Sequence, residues 1–357
     1  MEAFMRDESL EFLKELLWAP SPSGFEEPAQ AVVRSYMRPV AQSVRTDVHG
    51  NVIAALNETG RPRVMLAGHC DEIGLMVTHV DDQGFLAVSQ IGGWDAANLV
   101  GQQVTVHTAS GPVLGVVARK AIHAMTPEER NAGVKLDDLW VDIGAKDKDD
   151  ALEAVRVGDP ITVGRGFDML RGTKAVSRCF DDKMGTWVVM ETLRLLLRRK
   201  VKAAVFAVST VQEEIGLRGA ITSAFGIEPD VGVAVDVTHA ADSPGDSKPK
   251  RCYLRTGDGP VIERGANINK VVERRLIEAA EAKKIPYQLA GSPGATGTDA
   301  NAIQISRAGV ASGLIGVPVR YMHAPTEVLD LQDLENSARL LAEFIARLDP
   351  GVSFVPE

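Results

Sequence analysis

The sequence predicts an α/β protein: a three-layer α/β/α sandwich with a mostly parallel sheet, interrupted by an inserted small β-barrel-like domain. Three observations predict this fold. Buried apolar runs alternate with amphipathic helical patterns in both terminal parts of the chain. Short Val- and Gly-rich runs replace that alternation in the middle. The length of 357 residues exceeds one ordinary domain, so one large domain with a smaller one is expected.

The first part of the sandwich domain is predicted over residues 1–72. The apolar spacing of three and four residues in SLEFLKELL and EEPAQAVVRSYM is typical of helices that bury one face. A hairpin through HGN and the buried strand RVMLAGH follow. This order of helix, helix, hairpin and strand is what one half of an α/β domain requires.

The inserted domain is predicted over residues 73–165, where the helical period disappears. Short strands with turn residues between them indicate a compact barrel or sandwich. The runs that carry this prediction are GLMVTHV, GFLAVSQIGG, QQVTVHTA, GPVLGVVARK, LWVDIG and DPITVG. From the residues alone, an assembly domain and an inert insertion that shields one edge of the larger domain both stay open.

The second part of the sandwich domain is predicted over residues 166–357. Buried strands that alternate with helices imply a largely parallel sheet covered on both faces. The predicted strands are AAVFAVSTV, VGVAVDV and ASGLIGVPV, and the predicted helices are MGTWVVMETLRLLLRR, RGAITSAFG, INKVVERRLIEAAEAKK and LQDLENSARLLAEFIARL.

Composition excludes several classes of function. The formal net charge of -9 argues against nucleic-acid binding, and the basic run RRKVK at 198–202 is more typical of a helix end. The acidic amphipathic N-terminus is not a signal peptide, and no apolar stretch reaches the ~20 residues that span a bilayer. The number of cysteines is odd, which predicts reduced thiols in a cytoplasm; they are Cys70, Cys179 and Cys252.

Metal-binding side chains recur where the predicted strands end. Because the carboxyl ends of parallel strands meet at one edge of a sheet, these side chains are expected to converge there. They are His69 and Asp71 in MLAGHCDEIG, Asp181 and Asp182 in RCFDDKMG, Glu213 and Glu214 in VSTVQEEIG, Asp236 in VGVAVDVTHA, and His323 in RYMHAPTEV.

Each of these features alone has an ordinary structural interpretation. An isolated His69-x-Asp71 is often a polar strand end, and adjacent carboxylates such as Asp181 and Asp182 favour a helix start without metal. Glu213 and the residue after it follow a buried strand beside a turn glycine. Since consecutive strand residues point to opposite faces, one of these two carboxylates can bind metal while the other activates water.

The remaining candidates also have ordinary structural interpretations. Asp236 ends a buried strand, where a carboxylate has few uses unless it is paired. His323 is a loop histidine, His239 is interpreted as an outer or loop residue, and Cys70 as a small buried residue. Taken together, carboxylates and imidazoles without thiolate predict a site for zinc, cobalt or manganese.

The order of the motifs GHCDEIG, FDDKMG, QEEIG, AVDVTHA, GTGTDA and YMHAPTEV resembles the TET-type metallo-aminopeptidases over essentially the whole chain. This family includes glutamyl, leucyl and deblocking aminopeptidases, and some relatives were once called cellulase M or endoglucanase. The resemblance implies two divalent ions bridged by Asp181. It assigns His69 and Asp236 to one ion, and Glu214 and His323 to the other.

The resemblance also implies the catalytic roles. Glu213 is the expected general base for a metal-bridging water, and Asp71 orients the His69 side. In the related enzymes the first Asp of this pair is the bridging ligand, which implies Asp181, and a cis peptide bond is expected between Asp181 and Asp182. The segment GSPGATGTDA at 291–300 lacks the end of a phosphate loop and does not follow a clear strand, so a flexible wall of the substrate pocket is expected.

The expected function is that of a cytoplasmic aminopeptidase with peptide substrates. The resemblance implies a tetrahedral homododecamer that admits peptides and excludes folded proteins. Three alternatives stay open: an amidase or deacylase on the same metal site, a non-catalytic shell subunit, and a glycosidase that uses paired acids at ~5 Å or more. The preferred first residue of the substrate is not readable from the sequence.

Overall fold

The structure is a computed structural model that describes residues 5–244 and 253–356. Within these ranges the helices are α1 (Asp7–Trp18), α2 (Glu27–Met37), α3 (Pro127–Asn131), α4 (Lys148–Ala154), α5 (Phe180–Leu196), α6 (Arg218–Ile227), α7 (Lys270–Lys283), α8 (Asp299–Gln304) and α9 (Leu331–Ala346). The strands are β1 (Ser43–Thr46), β2 (Val52–Leu56), β3 (Arg63–His69), β4 (Gly74–Val80), β5 (Leu86–Ile91), β6 (Gln103–Thr108), β7 (Gly111–Arg119), β8 (Leu139–Asp142), β9 (Pro160–Val163), β10 (Asp168–Met169), β11 (Lys174–Ser177), β12 (Ala204–Thr210), β13 (Val231–His239), β14 (Val261–Gly265), β15 (Gln288–Ser292), β16 (Ala311–Val319) and β17 (Glu327–Asp330).

An eight-stranded sheet forms the centre of the larger domain, in the order β1-β2-β12-β3-β13-β16-β14-β15. Its central strands β12, β3, β13 and β16 are parallel, whereas β1, β2 and the pair of β14 with β16 are antiparallel. All residues of β12 are buried, as expected for a strand covered on both faces. The predicted, mostly parallel sheet is therefore confirmed.

Successive residues of β3 pack on opposite faces of this sheet. Val64 and Leu66 belong to a core shared with α1, α2, α5, α7 and α9. Met65 and Ala67 belong to a second core shared with α6 and α8. Because strand side chains alternate, a continuous apolar run fills both cores at once. The α/β/α sandwich is confirmed by these two layers of helices.

The inserted segment forms a closed barrel in the order β4-β5-β8-β7-β6-β9. Its interior is filled by its own set of apolar side chains, among them Leu75, Val77, Val104, Val106 and Val117. Since the barrel has a core separate from those of the sandwich, the predicted barrel-like insertion is confirmed. The domain boundaries at 72/73 and 165/166 stay a prediction.

A small antiparallel sheet of β10, β11 and β17 lies beside the start of α5. Ser177 of β11 pairs with Glu327 of β17. This register matters for the site, because α5 begins at Phe180, three residues after Ser177, and so Glu327 is held close to the first residues of that helix.

Several sequence-based details were wrong. β14, β15 and α8 were not predicted, because short segments such as QLAGS at 288–292 are half-exposed and lack a repeated apolar pattern. Since β15 ends at Ser292, the segment GSPGATGTDA does follow a strand. The basic run at 198–202 lies beyond α5, which ends at Leu196.

The thiols of Cys70 and Cys179 are buried and form no disulfide within the described residues, and burial raises the pKa of both. Cys70 is thus the small buried residue that was expected. Cys252 lies outside the described residues. Across residues 5–244 and 253–356, no helix has the length and apolar character needed to cross a membrane.

Candidate metal centre

Polar side chains from the ends of neighbouring strands surround one cavity of about 370 Å³. The strands β12, β3 and β13 run in parallel, and Thr210 at the end of β12 pairs with His69 at the end of β3. The cavity is lined by six of the residues singled out in the sequence: His69, Asp181, Glu213, Glu214, Asp236 and His323. The expected convergence at the carboxyl edge of the sheet is therefore observed.

His69 is held in one orientation by the residue two positions further along the chain. Its Nδ1 atom lies 3.0 Å from the backbone oxygen of Asp71 and 3.4 Å from the Asp71 carboxylate. A carbonyl oxygen can only accept, so Nδ1 carries the proton, and in the neutral imidazole Nε2 is the nitrogen that presents a lone pair to the cavity. Burial alone would lower the pKa of His69, but the carboxylates of Glu213, Asp181 and Asp71 hold it well above its usual value.

Asp71 also fixes the backbone of the glutamate pair. Its carboxylate is fully buried and accepts from the backbone N–H of Glu213 at 3.0 Å and from that of Glu214 at 3.2 Å. The hydroxyl of Ser23 donates to it at 2.6 Å. Burial opposes ionisation, yet His69 and these donors lower the pKa of Asp71. Asp71 therefore lies behind the cavity as an orienting anion.

Asp181 lies between two histidines. Its Oδ1 atom is 3.3 Å from Nε2 of His69, and its Oδ2 atom is 3.4 Å from Nε2 of His323. Against the effect of burial, contacts with His323 and His69 lower the pKa of Asp181. A carboxylate with one oxygen toward each imidazole has the arrangement that a bridging ligand needs.

Asp182 has a different environment, although a cis peptide bond joins it to Asp181 as the resemblance implies. The Asp182 side chain is fully buried and accepts from the backbone N–H of His69 and from that of Gly185, each at 3.1 Å. Burial and the nearby Asp236 raise the pKa of Asp182 well above its usual value. Both oxygens of Asp182 thus accept hydrogen bonds from backbone N–H groups. This favours Asp181 as the carboxylate of the pair that faces the cavity.

His323 reaches the cavity from a loop rather than a strand. Its backbone has a positive φ of 58°, and its Nδ1 atom lies 2.9 Å from the carbonyl oxygen of Gly93, after β5 of the barrel. Glu327 accepts from the backbone N–H of His323 at 3.1 Å and from that of Asp181 at 2.9 Å. Glu327 therefore sets the spacing between these two residues.

The carboxylates of the cavity repel one another. Burial, followed by the charges of Asp236 and Asp299, raises the pKa of Glu213 to about 10. Burial and Asp181 raise the pKa of Glu214 to about 8. Buried like charges protonate unless a cation offsets them. The site thus has more negative charge than its two histidines can balance.

Three groups place one ligand atom from each member within 4.8 Å of one another: His69, Asp182 and Asp236; His69, Glu213 and Glu214; and Asp181, Glu214 and His323. The last group matches one predicted ligand set. The other predicted set is brought together in part, because His69 and Asp236 group with Asp182 instead of Asp181. Imidazole nitrogens and carboxylate oxygens without thiolate fit zinc, cobalt or manganese.

Some residues of the site were missed in the sequence. Glu327 lies in the motif YMHAPTEV, four residues after His323, but its second partner Asp181 is 146 positions away and is not marked by that motif. Ser23 lies 48 positions from Asp71, and no local pattern links the two. Asp299 accepts from the Thr210 hydroxyl at 2.6 Å, and Glu263 lines the cavity from β14. The expectation for GSPGATGTDA holds in one respect, since Ser292, Thr296, Gly297 and Thr298 line the cavity. His239, the exposed last residue of β13 and not a loop residue, also lines the cavity.

Known proteins resemble this chain over nearly its whole length. The profile of the M42 glutamyl aminopeptidase family matches residues 50–340. The lysyl aminopeptidase of Pyrococcus furiosus is 36% identical, over 97% of this chain and 99% of that protein. The structure of a TET aminopeptidase from a marine-sediment archaeon of the Thaumarchaeota is 38% identical with a TM-score of 0.92, over 96% of this chain and 98% of that one.

A third comparison concerns assembly. The Pyrococcus horikoshii TET1 peptidase, which can assemble into a tetrahedron or a large octahedral shell, is 31% identical with a TM-score of 0.85. The match covers 95% of this chain and 100% of that one. The family profile also spans the barrel and the residues from His69 to His323 that surround the cavity. The chain therefore belongs to the M42 glutamyl aminopeptidase family, a family of metallopeptidases, and is a peptidase.

Proposed function

We propose that the protein is a dinuclear metal-dependent aminopeptidase that removes residues from the free N-terminus of peptides. The observation that carries this proposal is the position of Asp181, with one carboxylate oxygen 3.3 Å from His69 Nε2 and the other 3.4 Å from His323 Nε2. No group of three or more ligand atoms within 4.8 Å of one another contains both His69 and His323 among the described residues, so one carboxylate between these two imidazoles supports two ions with a shared ligand.

The proposed ligands follow from this arrangement. His69, Asp236 and Asp181 would hold one ion, and Glu214, His323 and Asp181 would hold the other. Zinc, cobalt and manganese all fit these donors. When bound, divalent ions would supply Lewis-acid chemistry, which polarises a carbonyl and lowers the pKa of water toward neutral.

Glu213 is the proposed general base. Its Oε2 atom lies 3.7 Å from His69 Nε2, and its side chain lines the cavity. Without cations, burial and the charges of Asp236 and Asp299 raise the pKa of Glu213, and bound metal ions would oppose this rise and leave the carboxylate ionised to act as a base. It takes a proton from the attacking water and passes it to the leaving nitrogen. Asp71 positions this base through the Glu213 backbone N–H.

The substrate is proposed to be a peptide with an unblocked amino terminus. The comparisons support this substrate, because the matching family and the Pyrococcus furiosus relative are both named as aminopeptidases. The names of relatives do not agree on the first residue, because the family is called glutamyl and the Pyrococcus furiosus protein lysyl.

An amidase or deacylase would use the same metal chemistry. The two activities are separated by comparing an unblocked short peptide with its N-acetylated form. We expect release of the first amino acid only from the unblocked peptide. Hydrolysis of the acetylated form at an equal rate would overturn the aminopeptidase proposal and favour the deacylase.

A non-catalytic shell subunit is the other alternative. Chelation of the wild-type protein is expected to abolish hydrolysis, and Zn²⁺, Co²⁺ or Mn²⁺ is expected to restore it at different rates, since metal geometry and water acidity differ. If turnover never depends on added metal, the metal-dependent mechanism is wrong. If there is no turnover at all, the shell subunit is the better account.

We also propose a homododecamer of tetrahedral type in the cytoplasm. The similarity to the TET1 peptidase, together with the closed point groups usual for homo-oligomers, supports the assembly, and the reduced thiols support the location. Sedimentation of the purified protein should give a species far above the 38.3 kDa of one chain, and folded proteins should stay uncut. A fully active monomer would refute this assembly and leave the catalytic proposal standing.

A further inference from the structure

Glu263 brings an acidic side chain into the cavity from a strand that carries none of the proposed metal ligands. On β14, Ile262 packs into the core shared with the helices, so its neighbour Glu263 points to the opposite face of the sheet. The main chain of β14 is fixed by pairing with β16, where Ile262 is opposite Ile315. The position of β14 in the sheet therefore places the Glu263 side chain in the wall of the cavity.

The carboxylate of Glu263 is buried without a cation of its own. Glu263 is only 6% exposed, and the hydroxyl of Ser292 donates a hydrogen bond to its carboxylate at 3.3 Å. Among the ion pairs of residues 5–244 and 253–356, none includes Glu263. The adjacent Arg264 instead contacts Glu273, with Nε 2.6 Å from Oε1. A buried carboxylate in this state is costly unless a ligand supplies the missing charge.

Glu263 is also separate from the groups that could hold metal. None of the three ligand groups found among the described residues contains it. A second role in the same cavity is therefore open to it, and its negative charge selects for a positively charged part of the substrate.

The cavity that Glu263 lines also has surface that suits a long side chain ending in a cation. Leu314 and Met322 supply apolar surface, while the hydroxyl groups of Thr296 and Thr298 lie 2.9 Å apart. Lysine and arginine side chains have an alkyl stem that packs on apolar surface and a charged head that binds a carboxylate. An acidic first residue would meet repulsion at the same place.

We infer that Glu263 binds the cationic side chain of a lysine or arginine at the first position of the peptide. The protein then prefers peptides with basic N-terminal residues. This inference rests on the proposed function, because it needs the substrate to be held with its first residue in the cavity.

The test compares four chromogenic aminoacyl substrates, lysyl, arginyl, leucyl and glutamyl, with the metal-loaded full-length protein. The wild type is expected to have its highest kcat/KM on lysyl and arginyl substrates. In Glu263→Gln, kcat/KM on these two should fall roughly 10- to 100-fold, since a charge-assisted contact is lost. On the leucyl substrate it should stay within about twofold, as expected for an uncharged contact.

Glu273→Gln is the matched control, because it removes the same charge from a carboxylate that contacts Arg264 and does not line the cavity. Its ratio of lysyl to leucyl activity should equal that of the wild type. An unchanged ratio in Glu263→Gln overturns the inference alone. An equal loss on all four substrates also overturns it, and places Glu263 at the α-amine. If the wild type hydrolyses none of the substrates, the proposed function fails and the inference fails with it.

Discussion

The Nδ1 atom of His323 lies 2.9 Å from the carbonyl oxygen of Gly93. Because a carbonyl only accepts, this contact keeps the proton on Nδ1, so that in the neutral imidazole Nε2 is the nitrogen that would bind an ion. Gly93 follows β5 of the barrel, whereas His323 belongs to the sandwich. The inserted barrel, which provides no proposed ligand, thus orients a side chain of the metal centre.

The first prediction concerns the same loop. A Cβ atom at Gly92 would lie 2.5 Å from Cγ2 of Ile73 and 3.3 Å from Oε2 of Glu214. Gly92→Ala should therefore displace the loop and Glu214, and lower kcat/KM roughly tenfold, the order expected from overpacking. Enzyme assays together with metal analysis measure the effect.

Gly101→Ala is the matched control for this change. Gly92 and Gly101 have positive φ values of 71° and 80°, but nothing lies within 4 Å of a Cβ at Gly101. Both variants carry the same backbone strain, so only the contact with Ile73 and Glu214 differs. Equal activity in the two variants would show that the loop does not influence the site.

The second prediction concerns the proposed base. Glu213→Gln should keep the fold and the metals but lose roughly 10²- to 10⁴-fold in kcat, which is the usual contribution of general acid-base catalysis. Glu214→Gln is the contrasting variant, because it should lose metal. Near-normal turnover of Glu213→Gln at full metal occupancy would rule out the assignment.

The third prediction concerns Asp71, whose two oxygens accept from Ser23 and from the backbone of Glu213 and Glu214. In Asp71→Asn the side-chain NH₂ group replaces one carboxylate oxygen and cannot accept the hydrogen bonds made by that oxygen. The His69 ring also loses its anionic partner. Metal affinity should fall roughly 10- to 100-fold, as for other outer partners of metal ligands. Ser23→Ala removes one donor and should have a smaller effect. If Asp71→Asn binds metal as tightly as the wild type, Asp71 has no orienting role.

The fold was largely predictable because its signals are local. RVMLAGH and ASGLIGVPV are continuous apolar runs, and the structure places strands at 63–69 and 311–319. Strands at these positions send His69 and its neighbours to the carboxyl edge of a parallel sheet. The convergence of the strand-end residues could thus be predicted from the alternation of apolar strands with helices.

The rest depends on contacts between distant parts of the chain. Gly93 and His323 are 230 positions apart, and Glu327 meets Asp181 across 146 positions. Neither contact leaves a periodic signal, because it arises only after the barrel and the small antiparallel sheet have formed. Glu263 was missed for a related reason: the short strand around it lies near the sheet edge and has no repeated apolar pattern.

The fourth prediction is that metal affinity rises with pH. Without an ion, burial and Asp181 raise the pKa of Glu214 to about 8, and contact with Asp181 raises that of His323 to about 9. Both groups must lose a proton to bind metal, so protons compete below these values. The dissociation constant should fall by up to about tenfold per proton and pH unit between about pH 6 and about pH 9. Calorimetry in two buffers should show proton release, and a constant affinity across this range would contradict the ionisation states.

The central claim is that Asp181 bridges two ions, and metal analysis of purified variants tests it most directly. The wild type should carry two ions per chain, His323→Ala should mainly lose one, and Asp181→Ala should lose most of both, because only the bridging carboxylate contributes to each. Circular dichroism of the variants checks that the fold is retained. An Asp181→Ala protein that still holds two ions at wild-type affinity would contradict the claim.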